Sequence, residues 1–219
     1  MAEDRMRAWE TLFRRASSLI DSAGQSFERW SFGGGTVLMR RHLHRLSKDI
    51  DIFVPDPQYL GYVSPRLNDV AAKMTSDYIE QGLSLKLVFP EGEIDFIASE
   101  PLTQVPTITE EIFGRSVAVE TSTEIIAKKV WYRAEQFKAR DILDLALVAE
   151  KEPAALREIA PILSERKKAI LNRIAVADTQ LRADFEQLEI LTYRRTYSES
   201  VEIAKRALDD ADALMARDF

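Results

Sequence analysis

The stretch Ser31–Phe53, SFGGGTVLMRRHLHRLSKDIDIF, decides how this chain is read. Aromatic and polar residues alternate from Phe27 to Phe32, which predicts a half-buried strand. Gly33-Gly34-Gly35 follows directly, then Thr36 to Leu46 with helical spacing, then a short strand, Ile50 to Val54, stopped by Pro55 and Pro57. Glycines carry no Cβ, so a ligand can approach their backbone closely. A helix opening near Thr36 leaves unpaired N–H groups and the positive end of its dipole at the turn, which suits an anion such as a triphosphate. The same glycines also serve a plain strand-to-helix turn, and alone they leave both readings open.

Asp49 and Asp51 close the stretch. On a strand, positions i and i+2 share a face, so Ile50 and Ile52 point to the core and the two carboxylates stand together. Such a pair repels itself unless a cation lies between, and hard oxygen donors suit Mg²⁺. A chain with 36 acidic residues in 219 holds roughly six acidic i,i+2 pairs by chance. The setting distinguishes this one: an apolar strand directly downstream of a glycine–helix turn. A two-metal site, with ions ~3.5–4 Å apart, needs a third carboxylate. Asp95, inside the apolar run Glu93–Ala98, is the candidate, and Glu93 on the same face is the alternative.

Outward from this core, residues 5–21 show helical spacing of Trp9, Leu12, Phe13, Ala16, Leu19 and Ile20. Pro65 to Met74 reads as a helix and Tyr78 to Gln81 as a strand. Leu83–Phe89 and Glu93–Ala98 form a hairpin about Pro90-Glu91-Gly92, and Val117–Val119 is a last strand. Glycine does not occur after Gly114, and helices are expected at about 122–136, 139–150, 153–163, 165–190 and 198–216. The expected class is α/β (α+β): a mixed sheet with flanking helices over residues 1–120, then a helical bundle over 121–219.

Composition narrows the function classes. At 46% apolar and 30% charged residues the chain is of globular type. The absence of cysteine excludes disulfides, thiolate metal sites and a cysteine nucleophile. A net charge of −6 argues against indiscriminate coating of nucleic acid, although Arg40, Arg41, His42, His44, Arg45 and Lys48 form a local basic cluster. His42 and His44 are two apart rather than i,i+4, and read as exposed helix residues rather than metal ligands. No signal core and no membrane-length apolar run is found, so a cytoplasmic location and no membrane contact are expected.

The residues also resemble a known pattern. Gly34-Gly35, thirteen residues, Asp49-Ile50-Asp51-Ile52 and then Asp95 match the nucleotidyltransferase superfamily typified by DNA polymerase beta. Closer is the AbiEii/AbiGii toxin-type family. It is matched by Gly34-Gly35-Thr36-Val37-Leu38, then Arg45, then Ser47-Lys48-Asp49-Ile50-Asp51-Ile52-Phe53. Glu124-Ile125-Ile126-Ala127-Lys128-Lys129-Val130 and Arg140-Asp141-Ile142-Leu143-Asp144-Leu145 continue the match. The resemblance covers about residues 30–150.

It implies transfer of a nucleoside monophosphate from an NTP, with two Mg²⁺ ions on Asp49, Asp51 and Asp95. Gly34, Gly35, Thr36, Ser47 and Lys129 would hold the nucleotide. Asp141 would be the essential acid of a helical domain that completes the active site. A toxin acting on RNA, with the tRNA 3′ end as one acceptor, and a cognate antitoxin are further implications. Read on spacing alone, Lys128 and Lys129 are solvated helix charges, and Asp141 and Asp144 share a helix face with Asp144 capping or pairing near the core. Pro55-Asp56-Pro57-Gln58 departs from the basic residues many members have after the catalytic strand, which weighs against a tRNA-like acceptor. A protein or small-molecule acceptor, and a non-catalytic nucleotide-binding module, are the alternatives.

Overall fold

Helix α1, Ala8–Ser22, buries Leu12, Phe13, Ala16, Leu19 and Ile20 along one stripe, as the spacing of its apolar residues requires. A computed structural model of the chain describes residues 7–216, so the first residues of the expected helix lie outside the described ones. The chain divides into two units. The first runs to Arg40 and adds Ser47–Pro101 and Thr107–Glu120; the second comprises Arg41–Leu46, Leu102–Pro106 and Thr121 onward.

The first unit is built on a seven-stranded mixed sheet. Its strands are β1 (Ser31–Gly33), β2 (Ile50–Val54), β3 (Tyr78–Gln81), β4 (Ser84–Phe89), β5 (Gly92–Ala98), β6 (Thr107–Ile112) and β7 (Arg115–Glu120). The order across the sheet is β3-β4-β5-β2-β1-β7-β6. β2 runs parallel to β5 and β1 parallel to β7, and the remaining pairs are antiparallel. Burial alternates strictly along β2 and β4, and along β5 as far as Phe96. Ile50, Ile52, Leu85, Leu87, Ile94 and Phe96 are fully buried on the face that α1 covers. Each such side chain contributes roughly 1.5–3 kcal/mol by leaving water. The opposite face carries Asp51, Glu93, Asp95 and Lys86.

Several boundaries differ from the sequence reading. Gly24, at φ +61°, turns the chain into a short 3₁₀ segment, Gly24–Phe27. Phe27 then packs edge-on against Tyr59 and Phe96 instead of entering a strand, and β1 starts only at Ser31. Helix α2, Gly34–His42, opens two residues early and stops at Leu43, whose φ is +50°. Gln58–Val63 forms an unexpected helix, α3. The helix expected from Pro65 shrinks to α4, Asp69–Met74, because the Asn68 side chain caps it by accepting from the Val70 and Ala71 N–H groups. Strand β6 escapes the sequence because it lies at the sheet edge and buries little.

The second unit holds α5 (Ser122–Arg133), α6 (Ala139–Lys151), α7 (Pro153–Glu158), α8 (Ala160–Val176), α9 (Asp178–Glu186) and α10 (Tyr197–Met215). Thr121 caps α5, and Thr196 with Glu199 forms a capping box on α10. α6 is the central helix, buried from Ile142 through Val148, with α10 packed along it and α8 along α10. The long helix expected over 165–190 is two: α8 ends at Val176 and α9 starts at Asp178. Residues 43–46 run extended beside 189–192, with Leu46 N–H donating to the Glu189 carbonyl at 2.8 Å and Leu191 N–H to that of His44 at 2.9 Å. Among the described residues no helix is long and apolar enough to cross a membrane.

Candidate active site

One cross-strand row of the sheet collects the charged side chains. Lys86 in β4 is in register with Asp95 in β5, Asp95 with Asp51 in β2, and Asp51 with Gly33 in β1. Residues in register point to the same face, so Asp51 and Asp95 stand side by side on neighbouring parallel strands. Gly33 leaves a gap in the row, and Glu120 from the end of β7 fills it: its Oε2 lies 2.1 Å from where a Cβ of Gly33 would be. Glu120 is buried, and Ser31 Oγ donates to its Oε1 at 3.3 Å.

The glycine turn is set by these acids. Gly34, at φ +73°, adopts a backbone that L side chains rarely take, and a Cβ there would fall 1.8 Å from Asp51 Oδ2. The first turn of α2 therefore starts directly under the Asp51 carboxylate. Thr36 is buried, and its hydroxyl donates to the Asp49 carbonyl at 2.5 Å and lies 3.1 Å from Ser47 Oγ. It fastens the loop that carries Asp49 to the helix that follows the glycines.

Asp49 departs from the expected shared strand face. It precedes β2, and its Oδ1 accepts from the Glu93 N–H at 3.1 Å, turning this carboxylate toward the start of β5. Among the described residues no three His, Cys, Asp or Glu side chains stand ready to hold a metal ion by themselves. The pair Asp51 and Asp95 nevertheless fits a divalent cation. Mg²⁺ is commonly held by one or two carboxylates and completed by substrate phosphates. Burial pushes the Asp95 carboxyl up to about 6, and the Asp51 charge adds to this. A stand-in cation is already present: the Lys86 ammonium lies 3.3 Å from Asp95 Oδ2 and is hydrogen-bonded to Glu93.

In the second unit, Lys129, Asp141 and Asp144 form a buried cluster with His44 and Arg45. Asp144 accepts from Arg45 Nε and Nη2, both at 2.8 Å, from His44 Nε2 at 2.8 Å, and lies 3.0 Å from Lys129 Nζ. Asp141 accepts from Lys129 at 2.7 Å, from Arg133 at 3.4 Å and from the Lys138 N–H at 3.2 Å, the last capping α6. Burial opposes ionisation of both aspartates, but the charges of Lys129 and Arg133 hold Asp141 below the usual carboxylate range. Arg45 and Lys129 hold Asp144 well below it. Burial outweighs the Asp144 carboxylate at His44 and lowers its pKa.

Lys128 and Lys129 are thus buried, against the solvated reading of their spacing, and His44 is buried outside the helix. The Asp144 pairing agrees with its reading. Two residues of the site went unread. Lys86 has a signal: it is the charged residue on the polar phase of the alternating strand Ser84–Phe89, and the hairpin register about Pro90–Gly92 brings it opposite Asp95. Glu120 has none beyond its place at a strand end.

Solved structures with this fold include a candidate nucleotidyltransferase from H. pylori, at 17% identity, TM-score 0.52, covering 98% of this chain and 99% of that one. JHP933 from Helicobacter pylori aligns at 14% identity and TM-score 0.53, covering 95% and 93%. MenT4, a nucleotidyltransferase toxin from Mycobacterium tuberculosis, aligns at 18% identity and TM-score 0.43, covering 97% and 85%. No curated protein matches the chain. Residues 18–216 match the family model described as nucleotidyl transferase AbiEii toxin, of type IV toxin–antitoxin systems, so the chain belongs to this family and is a nucleotidyltransferase.

Proposed function

We propose that the protein moves a nucleoside monophosphate from an NTP to an RNA hydroxyl, with the tRNA 3′ end as the favoured acceptor, as the toxin of a pair with a cognate antitoxin in the cytoplasm. The observation that carries the chemistry is the register of Asp51 with Asp95 beside the Gly33–Gly34 turn. Asp51 and Asp95 are the residues that would hold Mg²⁺, and Asp49 would join them by releasing the Glu93 N–H that its Oδ1 accepts here. When bound, the metal neutralises phosphate charge and makes the attacking hydroxyl more acidic.

The chain's own residues supply the rest. The Gly34–Thr36 turn presents the start of α2 to the triphosphate. Thr36 and Ser47 keep the loop bearing Asp49 in place. Asp95, in register beside Asp51, accepts the proton of the acceptor hydroxyl. The hydroxyl oxygen bonds to the α-phosphorus as the α–β bridging bond breaks, and pyrophosphate departs. From the resemblance, Lys129 is assigned to nucleotide phosphate, with Asp141 setting the position of its ammonium.

The test is incubation with each α-labelled NTP, Mg²⁺ and total RNA, beside Asp49→Ala and Asp51→Ala. Label in a tRNA-sized band with the wild type alone supports the proposal. Label in protein or a small molecule would keep the chemistry and reject the acceptor. Growth arrest on expression, abolished by Asp51→Ala, is the matching result in cells; arrest by the variant rejects the toxin assignment.

A further inference from the structure

Lys86 is placed where a metal-binding carboxylate site should have no cation of its own. It stands in β4 opposite Asp95, with its ammonium 3.3 Å from Asp95 Oδ2. Its second partner is Glu93, two positions before Asp95 and on the same face of β5. The side chain is 30% exposed, so solvent reaches it but does not hold it.

We propose that Lys86 is a resident counter-cation that keeps free divalent ions off the Asp51/Asp95 pair until a nucleotide delivers one. This rests on reading Asp51 and Asp95 as the metal-binding carboxylates. A bare divalent ion arriving at Asp95 meets a positive charge already paired there. Glu93 supplies the ammonium with a second anchor, so Lys86 shifts rather than leaves and continues to repel the ion. A triphosphate reverses the local balance, because its negative charge offsets both cations at once. Metal binding is therefore weak alone and strong with nucleotide, and Lys86 is the positioning residue that couples the two.

The experiment is Mn²⁺ binding to the full chain, read from the free-ion electron paramagnetic resonance signal, without and with an NTP analogue whose α–β bridge is methylene. A unit charge about 5 Å from a divalent ion, even at the dielectric of water, predicts roughly tenfold tighter nucleotide-free binding for Lys86→Met. With the analogue present the gain should fall below about threefold. Lys86→Arg, which keeps the charge, should bind like the wild type, and Lys48→Met tests whether removing a charge near Asp49 is sufficient. Unchanged or weaker binding by Lys86→Met, or an equal gain with Lys48→Met, overturns the proposal. Asp51→Asn separates it from the reading beneath it. If Asp51→Asn loses Mn²⁺ while Lys86→Met gains none, the metal site stands and the role of Lys86 falls. If Asp51→Asn binds as well as the wild type, both fall.

Discussion

Replacing Asp95 with asparagine should stabilise the protein while ending its activity. Burial, then the neighbouring Asp51 charge, raise this carboxyl from 3.8 to about 6 in the folded chain. A pKa raised by folding means that the protonated form is favoured in the folded state. Its contribution is fully present below the unfolded value near 3.8 and is lost as pH rises through about 6. Two pH units at about 1.4 kcal/mol each set a ceiling of about 3 kcal/mol at pH 8. Two discounts apply. The side chain is 21% exposed, and asparagine forfeits the ion pair with Lys86, worth about 0.5–1 kcal/mol at such exposure. The net expectation for Asp95→Asn is a gain of about 1–2 kcal/mol at pH 8 in the presence of a chelator, and a gain near zero at pH 4. Urea unfolding followed by circular dichroism at both pH values measures it. A variant less stable than the wild type at pH 8, or a difference equal at pH 8 and pH 4, would refute the reasoning.

Three further outcomes follow from the geometry. Gly34→Ala places a Cβ 1.8 Å from Asp51 Oδ2 on a backbone at φ +73°, so Asp51 must move; label transfer should vanish and stability fall by at least about 1–2 kcal/mol in a thermal melt. Asp144→Ala leaves Arg45 and Lys129 short of a buried partner and should cost about 3–5 kcal/mol in urea, with Arg45→Met in the same chain recovering part of it. Thr36→Val keeps shape but removes the donor to the Asp49 carbonyl, at about 1–2 kcal/mol, whereas Thr36→Ser should hold both stability and turnover near wild type.

What the sequence discloses and what it hides follow from sequence distance. The turn, Asp51 and the strand that carries it lie within Ser31–Phe53, and the periodicity that buries Ile50 and Ile52 also exposes Asp51. Asp95 was legible as an acid in an apolar strand, although nothing local says that β5 lies parallel to β2 in the register that pairs it with Asp51. Asp49 stands one residue before β2, outside the pleat that fixes Asp51, and its carboxylate turns toward the Glu93 N–H. Arg45 and His44 meet Asp144 across about a hundred positions, and helical spacing has no term for a partner that far away. The end of α2 failed for the same reason: residues 43–46 leave the helix to run beside 189–192.

The two sets of aspartates make an argument from opposite electrostatics. Asp141 and Asp144 are fully buried, yet both stay below the usual carboxylate range, because Lys129, Arg133 and Arg45 are built in beside them. Their contribution to stability is present above the unfolded value near 3.8 and lost as pH falls through their lower folded values. Asp95 is less buried and has a lysine at 3.3 Å, yet it moves the other way, since burial and then the Asp51 charge beside it outweigh Lys86. Folding alone would favour giving Asp95 as full a set of cations as the fold gives Asp144. A sheet that instead holds two acids in register, beside glycines shaped to bring them close, keeps a charge deficit that a ligand must satisfy. Acid titration should therefore resolve two opposing slopes in wild-type stability. Asp95→Asn should erase the one near pH 6 and leave the one at lower pH, which belongs to the helical cluster.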